Sequence, residues 1–341
     1  MTAVDAASAE AIRLQAEEHP LVEDAPPTTP AEHVLRLMHE RAYDEAVGHA
    51  AGRDVLDVGC NTGYGTMRFV PVARRVVGVD VSPRAIEAAV QRARDGHPEF
   101  LVTDGTTLPF PDDAFDLVTS FQVIEHLEDP MPYLAELTRV VRPGGEIILA
   151  TPNASIRLDP GMTPWNRFHV REFTATELQA LLERAFTDVR VLGMFAAEPI
   201  YDTELARVDK ARQRARRIAA AEARAAAPAP TPQTRSLPVR IARAVVPASL
   251  RTRLRTLMGR GPAVAPAKPA TATASATPTA SAVVETPPVD MTAFLAFTVD
   301  DVWYAGDDVD GSMDLLAICR VDDATTPTPT SPPIDQGGPP A

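Results

Sequence analysis

The sequence predicts an α/β fold with a mostly parallel sheet, and three features of residues 54–151 predict it. Short apolar runs alternate there with patterns of helical period, the signature of strand–helix–strand units. The first run ends in Asp57 and opens into the glycine-rich turn DVGCNTGYGT, Asp57 to Thr66, where glycines let backbone amides come close to a ligand. The second run ends in another carboxylate, Asp80, at the position where α/β sites grip vicinal ribose hydroxyls.

The elements follow in order. Residues 1–28 are small, acidic and proline-containing and read as a disordered leader. At Thr29 the pattern changes: Thr29, Pro30 and Glu32 spell a capping box with proline at the first helical position. Val34, Leu35, Leu37, Met38 and Val47 continue a helix of about 20 residues. Strands are expected at Val55–Val58, Val76–Asp80, Phe100–Val102, Phe115–Ser120, Glu146–Thr151 and Val189–Phe195. Helices are expected near Thr66–Val70, Pro83–Arg94, Met131–Val140, Thr176–Ala185 and Glu204–Ala226. A Pro-rich link, a second basic segment and the tract PAVAPAKPATATASATPTASA follow, the last reading as flexible linker. Hydrophobicity returns in Phe294–Val299 and Leu315–Val321, and such an isolated strand pair needs a partner sheet to be stable.

Composition narrows the function. The chain of 341 residues carries a formal charge of −13, which repels a phosphate backbone and argues against nucleic acid as a partner. Residues 201–260 are the exception, with 14 Lys or Arg against 4 Asp or Glu. Within them LPVRIARAVVPASLRTRLRTLMGR reads as two short basic amphipathic helices broken at Pro247. This segment, about 236–260, could make peripheral contact with an anionic membrane or pack as a lid on the acidic body or on a partner protein. Cys60 and Cys319 are the only cysteines, so no disulfide framework is expected and the setting reads as reducing and cytoplasmic, at most peripheral at the inner membrane face. The first 30 residues lack the apolar core of a signal peptide, and no apolar run is long enough to span a bilayer.

The spacing from Gly59 to Gly63 differs from the GxGxxG of dinucleotide folds. With VLDVGCNTGYGT, VVGVDVSPRAIEAA, TDGTTLPFPDDAFDLVTSFQVIEHLEDP and RVVRPGGEIILATPN in this order, the sequence resembles the class I S-adenosylmethionine-dependent methyltransferases, especially the broad family that includes quinone, sugar and natural-product O-methyltransferases. The resemblance covers about residues 54–153. It implies a Rossmann-like seven-stranded, mostly parallel sheet with an antiparallel last strand, and S-adenosyl-L-methionine as cofactor. Asp57, Gly59, Cys60, Asn61 and Gly63 would line its methionine side, Asp80 would hold the ribose hydroxyls, Val81 would lie beside the adenine, and Asp104 and Gly105 would face the adenine amino group. Gln122 would border the methionine or the acceptor.

The resemblance also bears on the C-terminus, because the family's last strand slots between its fifth and sixth and DLLAICRV looks like that strand. Residues 29–200 would then form the core, 201–290 a basic helical insertion and linker, 291–322 the strands completing the sheet, and 323–341 a disordered tail. A separate C-terminal module is the alternative.

Methyl transfer to a hydroxyl needs a base, and Glu125, His126 and His169 are the catalytic candidates. For His126 the competing reading is a structural part at the start of the next helix; for His169 it is an aromatic acceptor wall with Trp165, Phe168 and Phe173, or a buried hydrogen-bonded histidine. Quinone-type relatives bind a metal through Glu-x-x-Glu-His, but Gln122 replaces the first glutamate here, so no metal ligands are assigned. Arg41 and Tyr43 would be a cofactor lid or a solvated face. The acceptor is expected to be a small molecule, with a saccharide or lipid-linked hydroxyl ahead of a quinone, phenol or polyketide. A noncatalytic scaffold that keeps the cofactor fold is the reading from another class.

Overall fold

The computed structural model describes residues 26–226 and 291–322. Two compact units are distinguished, 1–217 with 289–341 and 218–288, and of the second only the helical stretch 218–226 is described. The expected linker, the second basic segment and the tail beyond residue 322 lie outside the described residues, as do the first 25 residues of the expected leader.

Helix α1, Pro30–Val47, starts where the Thr29 hydroxyl accepts the Glu32 amide and so satisfies one of the orphan donors of the first turn. The expected capping box closes differently: the Glu32 carboxylate reaches back to the amide and hydroxyl of Thr28. Strand β1, Asp54–Val58, is followed by the glycine turn and a short 3-10 turn at Thr66–Phe69 in place of the expected helix. Then come β2, Arg75–Asp80; α2, Pro83–Arg92; β3, Glu99–Val102; and β4, Phe115–Phe121. Helix α3, Pro130–Val140, leads into β5, Val141–Pro152. Ser82 and Asp129 cap α2 and α3, each followed by proline at the first helical position. Beyond β5 lie the single turn α4, Ala154–Arg157, then α5, Ala175–Leu182, β6, Asp188–Ala196, and the long helix α6, Glu198–Ala226.

The sheet is α/β, mostly parallel and Rossmann-like, in the order β3-β2-β1-β4-β5-β8-β6-β7. It has eight strands, one more than expected. The extra strand is β7, Val302–Ala305, which pairs antiparallel with the outer side of β6. The apolar run Phe294–Val299 is not a strand: Phe294 ends a helical turn and is buried against Val34, Leu37 and Met38 of α1. Strand β8, Asp314–Arg320, lies antiparallel between β5 and β6, with Glu146 opposite Arg320 and Pro152 opposite Asp314. Both faces of this strand are covered, since Leu315, Ala317 and Cys319 pack on one side and Leu316 and Ile318 on the other. That two-sided burial explains its nearly continuous apolar sequence. Among the described residues no helix is long and apolar enough to cross a membrane.

One ion cluster ties three segments together, the loop between α1 and β1, β5 and the end of β8. The Glu146 carboxylate on β5 receives Arg53 at 2.5 Å, His49 at 3.2 Å and Arg320 of β8 at 3.3 Å. Burial pushes this carboxyl upward, but the three hydrogen bonds outweigh it and hold its pKa at about 2. A depressed carboxyl stabilises the fold above its ordinary pKa, and the contribution is lost as the pH falls through the folded value. Glu146→Gln is expected to cost about 1–3 kcal/mol at pH 7, the lower figures applying because Arg53 and Arg320 stay partly solvated. Guanidinium unfolding midpoints should show the variant and the wild type converging as the pH is lowered towards 2. A gap that persists at that pH would contradict the assignment.

Candidate active site

A cleft opens at the carboxyl ends of β1, β2 and β4, with about 1030 Å³ of space including its mouth. Gly59, Asn61, Asp80, Val81, Gly105 and Gln122 line it, and so does His126. The turn after β1 is shaped by left-handed residues, Gly59 at φ 79°, Asn61 at φ 48° and Gly63 at φ 75°. At Gly59 a Cβ would also fall 2.5 Å from the Val123 side chain, so both the conformation and the close approach require glycine. Asp80 anchors the turn, because its two oxygens accept the amides of Asn61 at 2.9 Å and Ser82 at 2.8 Å.

Four of the ten residues named for the cofactor do not reach the wall of the cleft: Asp57, Cys60, Gly63 and Asp104. Cys60 is buried with Ile86, Ala89 and Phe100 under the turn, and burial pushes its thiol well above the ordinary range. Gly63 packs beneath Phe100, whose ring leaves no room for a side chain. Asp104 turns its Oδ1 to the amides of Thr106 and Thr107 and to the Thr106 hydroxyl. It therefore braces the loop that lines the cleft through Thr103, Gly105, Thr106 and Thr107.

Asp57 points the other way, into the protein. Its carboxylate is fully buried and accepts hydroxyls of Thr66 at 2.6 Å, Thr119 at 2.9 Å and Tyr43 at 3.2 Å. Burial raises its pKa to about 6 against the pull of those three bonds. Tyr43 is thus neither solvated nor part of the cleft: it is 5% exposed and its ring packs against Gly65, where a Cβ would fall 2.0 Å from it. Arg41, likewise absent from the cleft, pairs with Glu45 and sits over the Tyr304 ring.

Residues not singled out from the sequence complete the lining, among them Val123, Leu127, Leu108, Tyr133 and Glu136. Tyr133 and Glu136 stand one turn apart on α3, a spacing that places them on one face. Tyr133 is hydrogen-bonded to Ser120 at 2.6 Å. Glu136 accepts the Leu108 amide at 2.7 Å and pairs with Arg139, which fixes the floor of the loop after β3. Gln122 is strained into a left-handed conformation, φ 57°, and its amide donates to Asp314 of β8 at 2.9 Å. Asp314 is buried, and burial together with the charges of Glu125 and Glu204 pushes its carboxyl well above the ordinary range.

The three catalytic candidates come together beside the cleft, although only His126 lines it. Glu125 and His126 form the 3-10 turn Ile124–His126, and the loop carrying His169 is hung on that turn by the amides of Val170 and Arg171, which donate to the Glu125 carbonyl. The His126 and His169 rings meet edge to face at 5.0 Å. His126 Nδ1 faces the Phe168 carbonyl at 2.8 Å and His169 Nδ1 faces the Glu172 carboxylate at 2.7 Å. Glu172 is in turn gripped by Arg157 at 2.8 and 2.9 Å. Against burial, His169 and Arg157 hold Glu172 at about 2, whereas burial raises Glu125 to about 7.

Residues 56–149, which hold the turn, Asp80, the loop after β3 and the His126 turn, match the family model described as methyltransferase domain. The chain carries a methyltransferase domain. It is similar to a probable S-adenosylmethionine-dependent methyltransferase of Mycolicibacterium smegmatis, 45% identical over 161 residues that cover 46% of this chain and 61% of the relative. A probable S-adenosylmethionine-dependent methyltransferase of Mycobacterium tuberculosis is 39% identical over 170 residues, 49% of this chain and 60% of the relative. A demethylmenaquinone methyltransferase of Tropheryma whipplei is 31% identical over 132 residues, 38% of this chain and 54% of the relative. The match spans about three-fifths of the length of the two mycobacterial relatives.

Because Asp57 titrates at about 6 in the fold and near 4 in an unfolded chain, the folded domain holds that proton across the interval and stability falls as the pH rises through it. Tyr43→Phe deletes one donor to the charged carboxylate. It should cost about 1–2 kcal/mol at pH 7 and, by lifting the folded pKa further, steepen the fall in stability between pH 4 and 7. Urea unfolding of both proteins at unit pH steps checks this, and parallel curves would exclude Tyr43 as a partner of the ionised group.

Proposed function

We propose that the protein transfers the methyl group of S-adenosylmethionine to a hydroxyl of a small saccharide or glycolipid acceptor. What carries the reading is the convergence of Gly59, Asn61, Asp80, Val81, Gly105 and Gln122 on one cleft that has His126 in its wall. The residues present suit the cofactor. The Asp80 carboxylate, already oriented by two amides, offers acceptors for two vicinal hydroxyls. Val81 and Gly105 would flank the adenine, and Gly59, Asn61 and Gln122 would border the methionine. Asp57, Cys60, Gly63 and Asp104 act from behind, by shaping the two loops. When bound, S-adenosylmethionine supplies a methyl group on a sulfonium, open to in-line displacement by an aligned oxygen.

The hydroxyl acceptor is supported by the state of His126. Its Nδ1 faces a carbonyl, which can only accept, so Nδ1 bears the hydrogen and, in the neutral imidazole, Nε2 has the lone pair. That nitrogen can take the acceptor's proton as the new C–O bond forms. His169 and Glu125 pack behind it as supports for its position. Methylation of a quinone, phenol or polyketide is the second reading, favoured by the relative named as a demethylmenaquinone methyltransferase. The basic residues 236–260, outside the described part of the chain, are proposed to contact an anionic membrane surface, which suits a lipid-linked acceptor at the cytoplasmic face. The strong net negative charge supports a partner other than nucleic acid.

Calorimetry with S-adenosylhomocysteine tests the donor half. The wild type should bind one equivalent, and Asp80→Ala should weaken binding about 100-fold, as expected for two lost charge-assisted hydrogen bonds. Absence of binding by the wild type would overturn the reading and leave the noncatalytic scaffold. Transfer of labelled methyl to saccharides but not to quinones or phenols decides the acceptor class. His126→Asn should then lower turnover by about 10²-fold or more while S-adenosylhomocysteine affinity stays within a few-fold.

A further inference from the structure

We infer that Glu125, His126 and His169 form a binding site for one divalent first-row transition-metal ion such as zinc or manganese. One ligand atom from each of the three lies within 4.8 Å of the others. Ligands about 2.0–2.2 Å from a shared ion stand roughly 3–4.4 Å apart, so closure needs only a small inward movement.

Two independent observations point to a cation. The Glu125 carboxylate is completely buried, and while its Oε2 accepts the Thr151 hydroxyl at 3.0 Å, its Oε1 has no hydrogen-bond partner among the described residues. A buried carboxylate oxygen left without a donor is costly, and a coordinated ion satisfies it. The second observation is the arrangement of the imidazoles. Both turn Nδ1 to an oxygen acceptor, His126 to the Phe168 carbonyl and His169 to Glu172. This is the outer arrangement that fixes the tautomer of metal-binding histidines and presents Nε2 for coordination. Glu172 is itself held by the buried guanidinium of Arg157, so the carboxylate behind His169 is rigid. At present His169 Nε2 accepts from the Asn166 amide at 2.8 Å. That side chain sits where a ligand bond would form and has to swing aside.

The donor set, two imidazole nitrogens and one carboxylate oxygen, suits zinc, manganese or iron rather than magnesium or calcium, which take oxygen ligands. The set does not use Gln122, and it recruits His169 from a separate loop, 43 residues beyond His126. Since His126 lines the cleft, open coordination positions would face the acceptor, and a hydroxyl bound there becomes a stronger acid; in the loaded site this acidification replaces proton transfer to His126 Nε2, whose lone pair is then the ligand bond. That last role rests on the proposed methyl transfer; ion binding itself does not.

The full-length chain, stripped with a chelator, is titrated with Co²⁺ followed by visible absorption and with Zn²⁺ followed by calorimetry. One equivalent is expected to bind, with d–d absorption bands from Co²⁺ and a raised thermal midpoint with Zn²⁺. His126→Ala and His169→Ala should each weaken binding at least 30-fold, and Glu172→Gln, which keeps both imidazoles, by about 10–100-fold. Nitrogen NMR of the wild type needs no variant: Zn²⁺ should shift the Nε2 resonances of two histidines and leave the other five in place. No saturable binding, or binding that both histidine variants retain, would overturn the site. S-adenosylhomocysteine affinity is measured separately, so failure of the metal site is distinguishable from failure of the methyltransferase reading.

Discussion

A single buried carboxylate organises the glycine turn after β1. Asp57 lies one residue before the end of β1, and among the described residues the side-chain donors that offset its desolvation are hydroxyls: Tyr43 from α1, Thr66 from the turn and Thr119 from β4. Three separate stretches of chain are thereby pinned to one point. Tyr43 can lie over the turn only because residue 65 is glycine, and the turn reaches back to β2 through Asp80. The turn that lines the cleft through Gly59 and Asn61 is held from below by Asp57 and from the side by Asp80. Burial makes the first of these expensive to ionise, a cost concentrated at the site where rigidity matters.

The opposite half depends on a strand that enters from far along the chain. Strand β8 fills the gap between β5 and β6 and brings Asp314 to within 2.9 Å of Gln122. Gln122 belongs to the cleft and Asp314 does not, so the late strand acts on the cleft through one strained residue. Next to it the Asn153 amide donates to the carbonyls of Val309, Asp310 and Ser312, which sews the approach to β8 onto the end of β5. The Gln122 side of the cleft is therefore built from parts more than 150 residues apart, whereas the Gly59–Asp80 side is local.

That difference governs how much could be read in advance. The strands and helices of residues 54–151 announce themselves because side-chain period and capping residues are local properties, and the fold class follows from their alternation. Six of the ten residues named for the cofactor line the cleft because a glycine turn and strand-end carboxylates have stereotyped positions in such sheets. The other four fall behind the wall for reasons of direction: Asp57 faces hydroxyls inside, Asp104 bonds to its own loop, Cys60 packs under the turn, and Phe100 roofs Gly63. Nothing in a sequence fixes which way a carboxylate turns when both sides offer donors. Tyr133 and Glu136 were within reach of a helix-face argument. The strand Val302–Ala305 left only the weak signal of four residues, two of them aromatic, amid acidic neighbours.

By itself the sequence determined the α/β class, the strands of the first half and the glycine turn after the first of them, because these arise from hydrophobic periodicity and backbone conformations encoded over a few residues. Only the tertiary structure decided which carboxylates meet the cleft, that Gln122 leans on Asp314, and that Glu125 and His126 share a cluster with His169 and Glu172. Those contacts are set by where a late strand and a long loop come to rest, and chain separation erases any local trace of them.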